Sequence, residues 1–437
     1  MKYRILIFND NTKRDLLGLK IIQKEFILAG CKAIICNPDT VKYKFRLLKP
    51  HAFIAARGDH WEAKEAAKAC LVYIVPGEGA QQTKETILSV FMGRAYWKLT
   101  DVHWIKKCFL WNRDTRDWLL DTKLFKNHQL TVSGNTRLDI YRNQKVLRNL
   151  LIGKPKEFVL GVAFSSKSTS TYDGKLKYAE NYFNMHRDLN FPITPPGRNF
   201  EDICWRDHII LRLSMRYIKR FLDTMNGKII LRPSPFEDPK TFRFLEKLYP
   251  GRISIESNQP LPEFCSQIDT LLTCWSTTGL EALIMNKPVI SIAGTIDQEH
   301  LFRHVSARAS GFEGYVKYFH YPKTEQELMS LVDLAAHKKL APSPRTDLPE
   351  LLEKMYNWPS ESAASSIIVE KILCDLKTDC PATGWKSTFT YPIPDFMAPV
   401  FYTLRNYIRY IRSGFFNTYY GFRKVNDKKI SKLVKQM

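Results

Sequence analysis

Short apolar strands alternate with single helices along most of this chain, and that alternation constrains the fold more than any other feature. Tyr3 to Phe8 reads as a strand. Asp15 to Ala29 has helical periodicity, and Gly30 fits its C-cap. Ala33 to Cys36, Ala52 to Ala55 and Leu71 to Val75 read as further strands, with a helix from His60 to Ala69 and another from Gln82 to Phe91. Cys108 to Trp111 and Gln129 to Val132 complete the series, separated by a helix near Thr115 to Phe125. Strands joined through single helices predict a mostly parallel sheet covered on both faces.

The pattern breaks at Asn149 to Glu157 and restarts with a strand at Phe158 to Val162. Ser165 to Arg198 is irregular and reads as an insertion at a cleft edge. A long helix is expected from about Cys204 to Thr224. Strands are expected at Lys228 to Leu231, Arg252 to Ile255, Thr270 to Cys274 and Val289 to Ile292, with helices at Pro239 to Tyr249 and Thr277 to Asn286. Thr324 to Leu373 is helical and polar, and Pro381 to Pro399 is turn-rich. The 437 residues therefore divide into a first α/β domain over 1–150, a second over 151–380 and a C-terminal segment over 381–437.

The formal net charge of +22 predicts anionic partners. Part of it is local: from Phe401 to Met437, nine Lys or Arg stand against one Asp. Nine aromatics are interleaved there, with Arg405, Arg409 and Arg412 among them and Phe415 and Phe416 side by side. Interfacial segments combine these types, because rings sit at headgroup depth and arginines meet lipid phosphate. Packing of the aromatics on the core is the other reading, and nucleic acid is not expected. The nine cysteines include no CxxC pair, and the chain opens on a strand without a signal peptide, so a reducing cytosolic setting is expected. No apolar run reaches the roughly 18 residues that span a bilayer.

Several strand ends carry chemistry. In Cys274-Trp-Ser-Thr-Thr-Gly-Leu-Glu-Ala-Leu283 a strand ends, three hydroxyl residues and a glycine follow, and a helix starts. The first turn of a helix exposes backbone N–H groups to an anion. Ser276, Thr277 and Thr278 would add hydroxyls, Gly279 would allow close approach of a phosphate or ribose, and Glu281 would accept from a ribose. The plainer reading is a capping box, with Thr278 as N-cap and Glu281 three residues on. Arg232-Pro-Ser-Pro235 follows another strand and places an arginine where it can pair with a phosphate. Glu237 and Asp238 beside it are candidate caps.

In the first domain, Glu78 lies between two glycines after a strand, and Asp59 and His60 hold a similar position. A carboxylate there could take the proton of an attacking hydroxyl. In Ser133-Gly-Asn-Thr-Arg-Leu-Asp139, Asn135 favours a turn, Arg137 could reach a phosphate and Asp139 could fix that arginine or join an interdomain salt bridge. His208, near the start of the long helix, is a catalytic candidate or a half-buried structural histidine. No HExxH, DxD or close Cys/His group points to a metal, and neither a Walker A loop nor a GxGxxG after the first strand is present; Asn9-Asp-Asn-Thr12 stands there instead.

The runs Ser133 to Asp139, Arg232 to Pro235 and Ser276 to Ile290 resemble bacterial surface carbohydrate (capsule and lipopolysaccharide) biosynthesis proteins, related to capsule Kdo transferases and teichoic acid glycerophosphotransferases. The resemblance implies a GT-B fold, with two Rossmann-like domains facing across a cleft: an acceptor side over 1–150 and a nucleotide-donor side over 151–380. It implies a glycosyltransferase; no cofactor is expected, and metal-independent action is expected because arginine and helix N–H groups can neutralise the leaving phosphate. The donor would be a nucleotide sugar, such as CMP-Kdo, and the acceptor a glycan or a lipid-linked acceptor. A CDP-glycerol or CDP-ribitol polyol-phosphate transferase and a nucleotide-sugar 2-epimerase are the alternatives. By the same resemblance Arg232, Ser234 and Pro235 lie at the donor, Ser276, Thr277 and Thr278 hold its phosphate, and Glu281 lies near the nucleoside. Glu78 would be an acceptor-side carboxylate, and the tail would hold the enzyme on the inner face of the cytoplasmic membrane. Two positions depart from the family pattern: residue 136 is Thr where Pro is usual, and residue 234 is Ser where His is common.

Overall fold

The computed structural model describes residues 3–9, 12–58, 61–77, 84, 101–152, 156–164, 200–234, 237, 239–257, 259–274, 276–296, 313–379 and 424–437. The chain forms two compact units, one of residues 1–142 with 349–437, the other of residues 143–348.

Unit 1 is built on six parallel strands: β1 (Arg4–Phe8), β2 (Lys32–Cys36), β3 (Ala52–Ala55), β4 (Leu71–Ile74), β5 (Ile105–Leu110) and β6 (Leu130–Val132). Their order is β2-β1-β3-β4-β5-β6. Successive strand side chains point to opposite faces. Along β1, Leu6 and Phe8 accordingly enter one core with Val41, Phe45 and Ala63, while Ile5 and Ile7 enter a second with Leu19, Ile22 and Phe26. A strand buried on both faces must read as a continuous apolar run, as Ile5-Leu-Ile-Phe8 does.

Unit 2 has five parallel strands: β7 (Val159–Ala163), β8 (Lys228–Leu231), β9 (Ile253–Ile255), β10 (Thr270–Thr273) and β11 (Val289–Ser291), in the order β11-β10-β7-β8-β9. The helix Phe200–Thr224 supplies Ile210, Tyr217, Ile218 and Phe221 to the core on one face of this sheet. Its start at Phe200, ahead of Cys204, puts His208 in the third turn. The expected helix from Pro239 to Tyr249 is a 3-10 turn, Pro239–Phe242, followed by the short helix Phe244–Leu248. The expected Gln82 to Phe91 helix and the 165–198 insertion fall almost entirely outside the described residues.

The division of the chain differs from the expected boundary at 380. The helices Leu348–Tyr356 and Ala364–Thr378 contribute to unit 1. Polar contacts explain the return. The buried Asp139 carboxylate accepts from the amides of Ala364 (2.9 Å) and Ser365 (2.8 Å), and so caps the helix Ala364–Thr378. Ile368, Val369, Ile372 and Leu376 of that helix then join the core that contains Ile5 and Ile7. Lys107 pairs with Asp375 at 2.6 Å, and Asn112 Nδ2 donates to Met355 O at 2.9 Å. Gly134 sits at φ +92, where an added Cβ would lie 2.9 Å from Tyr356 O, so a glycine is required where this returning segment passes.

The end of the chain packs back as well. The helix Lys424–Gln436 buries Ile430, Leu433 and Val434 and lies against the helix Thr12–Leu28, with Lys24 Nζ donating to Val434 O at 3.4 Å. The aromatic stretch with Arg405, Arg409, Arg412, Phe415 and Phe416 lies outside the described residues. Among the described residues no helix is long and apolar enough to cross a membrane, no disulfide forms, and no cluster of His, Cys, Asp or Glu could hold a metal ion.

Asp139→Ala removes the acceptor from two helix-terminal amides. Urea denaturation is expected to show a loss of about 1–3 kcal/mol, with Asp139→Asn retaining part of it.

Candidate functional site

In an open parallel sheet, ligands collect beyond the carboxyl ends of the strands, where the strand order reverses. In unit 2 the chain runs from β7 outward through β8 and β9, then crosses to the other side of β7 for β10 and β11. The reversal therefore lies at the ends of β7 and β10. Thr273 Oγ1 donates to Ala163 O across that pair, and Ser291 Oγ donates to Cys274 O. These bonds fix the path by which β10 leaves the sheet.

The helix Thr277–Ile284 starts there. Its N-cap is Ser276, whose Oγ accepts from Thr278 N at 3.2 Å. The expected capping box on Thr278 is thus corrected: Thr278 is already inside the helix and its side chain is buried. The cap uses one of the first helical amides, and that of Thr277 stays at the tip. Ser276 and Thr277 are half-buried. Gly279 has a different reason from the one expected. An added Cβ there would lie 2.3 Å from the Phe319 ring, so the space belongs to an aromatic side chain and not to a phosphate or ribose.

Arg232 follows β8 directly. Its amide donates to Val162 O at 2.8 Å and extends the ladder by one residue past the strand, which fixes the backbone. Its guanidinium carbon lies 5.9 Å from the centre of the Phe264 ring. Phe264 and Cys265 belong to the helix Leu261–Gln267, which packs against the helix Thr277–Ile284. Burial pushes the Cys265 thiol up; the Glu281 charge pushes it further and that of Arg232 opposes it. Arg232, Phe264, Cys265 and the buried Glu281 thus form one neighbourhood beside the helix start. Pro233 is buried, and the next turn is closed by Ser234 N donating to the Glu237 carboxylate at 2.5 Å and Glu237 N donating to Ser234 O at 3.0 Å. Glu237 therefore holds the arginine loop. Pro235 and Asp238 lie outside the described residues.

In unit 1 the strand order reverses between β1 and β3. Asn9 follows β1, is fully buried, and has no hydrogen-bond partner at either end of its side-chain amide. Asp15 is buried, and its carboxylate lies so close to Gly77, after β4, that an added Cβ would meet it at 2.3 Å. Asn135 Oδ1 accepts from Arg137 N at 3.0 Å, while its Nδ2 is buried without a partner. Arg137 lies over the Trp111 ring, 5.6 Å from its centre. Asp139 does not fix it: that carboxylate is committed to the Ala364 and Ser365 amides, with Arg142 Nε 3.9 Å away. Asp139 is thus a cap inside unit 1. Glu78, Asp59 and His60 lie outside the described residues. His208 is exposed on its helix, which removes the half-buried reading.

Sequence reasoning missed Phe264 and Asp15. No local pattern marks Phe264, because its role comes from packing between elements distant in sequence. Asn9 had a signal in its place directly after the first strand.

No protein-family model matches the chain, and no curated protein does. Solved structures do. A histidine-to-asparagine variant of the wall teichoic acid polymerase TagF aligns over 86% of this chain and 89% of its own, with 12% identity and a TM-score of 0.53. The asparagine variant after a 30-minute soak with CDPG aligns with the same coverage, 12% identity and a TM-score of 0.52. A histidine-to-alanine variant gives 11% identity and 0.51. This likeness establishes the fold: an α/β protein of GT-B type, built from two Rossmann-like domains.

Gly279→Ala forces a methyl group into the Phe319 ring. Thermal or urea unfolding is expected to show a loss of about 1–3 kcal/mol, partly restored when Phe319→Leu is added.

Proposed function

We propose that the protein is a transferase of surface glycan assembly, which moves a group from a nucleotide-activated donor to a hydroxyl of a glycan or lipid-linked acceptor. The observation that carries this reading is the placement, on either side of β7 at the carboxyl ends of the unit 2 strands, of a Ser276-capped helix start after β10 and an arginine after β8. Such a pair suits the diphosphate of a leaving nucleotide. In the reaction, the acceptor oxygen loses its proton to a carboxylate and bonds to the transferred group. The bond to the nucleotide phosphate breaks, and Arg232 with the Thr277 amide stabilises the charge that develops there. Glu78 is the first candidate for the base and Asp59 the second. In unit 1, the unpartnered side-chain amide of the buried Asn9 and the unpartnered Nδ2 of Asn135 suit a hydroxyl-rich acceptor. The basic aromatic stretch before residue 424 would hold the enzyme at an anionic membrane surface.

A glycosyl group from a CMP- or other nucleotide-linked sugar is the first reading. Transfer of polyol phosphate from a CDP-linked donor is the second, favoured by the likeness to a teichoic acid polymerase that has been soaked with CDPG.

Isothermal titration with CMP, CDP and UDP tests the shared site. At least one should bind, and Arg232→Ala should weaken it about tenfold or more; binding of none overturns the reading. Turnover of CDP-glycerol against CMP-sugars then separates the two readings, and product formed from a nucleotide sugar without an acceptor would mark an epimerase. Glu78→Gln should lower turnover by about a hundredfold or more while nucleotide affinity stays unchanged.

A further inference from the structure

On the outer edge of unit 2, the short helix Phe244–Leu248 presents an apolar stripe that the core does not use. Phe242 and Leu245 are buried and seat this element on the sheet. Phe244 and Leu248, four residues apart and so on one helix face, are 50% and 65% exposed. Lys240, Arg243 and Lys247 are exposed beside them. The one acid of this helix, Glu246, points its carboxylate inward and accepts from Ile255 N at 2.9 Å. Tyr249 OH donates to Asp223 at 2.9 Å and ties the end of the element to the long helix. These contacts seat the helix on unit 2, with two large apolar side chains and three cations at its exposed surface.

Isolated exposed apolar residues are common on soluble proteins. Two on one stripe, bordered by cations and with the local acid turned away, match a different chemistry. Apolar side chains enter the acyl boundary of a bilayer while Lys and Arg meet the phosphates. We propose that Phe244, Leu248, Lys240, Arg243 and Lys247 form a docking surface for an anionic lipid membrane. It goes beyond the transfer reading and uses none of the nucleotide-site residues. It is also independent of the C-terminal aromatic stretch, so unit 2 carries a membrane contact of its own.

Flotation of the full chain with phosphatidylglycerol vesicles tests this. Wild type should bind them and bind phosphatidylcholine vesicles at least tenfold more weakly. Phe244→Ser with Leu248→Ser should lower partitioning to phosphatidylglycerol about tenfold. Lys240→Gln, Arg243→Gln and Lys247→Gln together should lower the preference for the anionic lipid about threefold or more, the C-terminal cations keeping the remainder, and an unchanged preference overturns the proposal. Far-UV circular dichroism and nucleotide affinity should match wild type in both variants, which separates this surface from the donor site. Equal partitioning of wild type and the serine variant overturns the proposal. So does absence of vesicle binding by wild type, or a dimer that the serine variant dissociates, which would make the stripe a contact between copies of the chain.

Discussion

A parallel sheet that reverses its strand order cannot cover the ends of the two strands at the reversal, because the connecting helices leave in opposite directions. In unit 2 that constraint falls on β7 and β10, and the candidate site follows from it. The exit of β10 is fixed by hydroxyls: Thr273 bonds to β7 and Ser291 bonds to Cys274 O. The next residues turn at once into a helix whose cap is Ser276. The position of the helix tip is therefore set by strand hydrogen bonds and not by a flexible loop. Arg232 is placed in the same manner, one residue beyond β8 and still bonded to β7 through its amide.

The surroundings give this pair its chemistry. Arg232 lies over an aromatic ring, and Glu281 lies in the same neighbourhood. The Ser234–Glu237 turn holds the loop through the buried Glu237. Where the resembling family often has a histidine, this chain has Ser234, whose amide is engaged in that turn. In the proposed reading an anion would be held by the arginine and the backbone, and a mechanism through a side chain at 234 has no histidine to use.

Much of the architecture was legible because strands buried on both faces need uninterrupted apolar runs. Ala52 to Ala55 and Lys228 to Leu231 stand where the sequence placed them. Short helices were harder. Val41–Leu48 and Leu261–Gln267 are under nine residues, too short for periodicity to declare them. The return of the chain to unit 1 was not legible either, because it depends on Asp139 meeting amides more than 200 residues away. At the site, the strand-to-helix turn and Arg232 could be read from local residue types. The purposes of Gly279 and Asp139 could not: Phe319 and the 364–378 helix reach them only through the fold.

A crystal of the protein soaked with CDP tests the central claim most directly. The account predicts diphosphate oxygens within about 3.2 Å of both the Thr277 amide and the Arg232 guanidinium. A well-ordered nucleotide bound elsewhere, with that helix tip and that arginine free of phosphate, would contradict it.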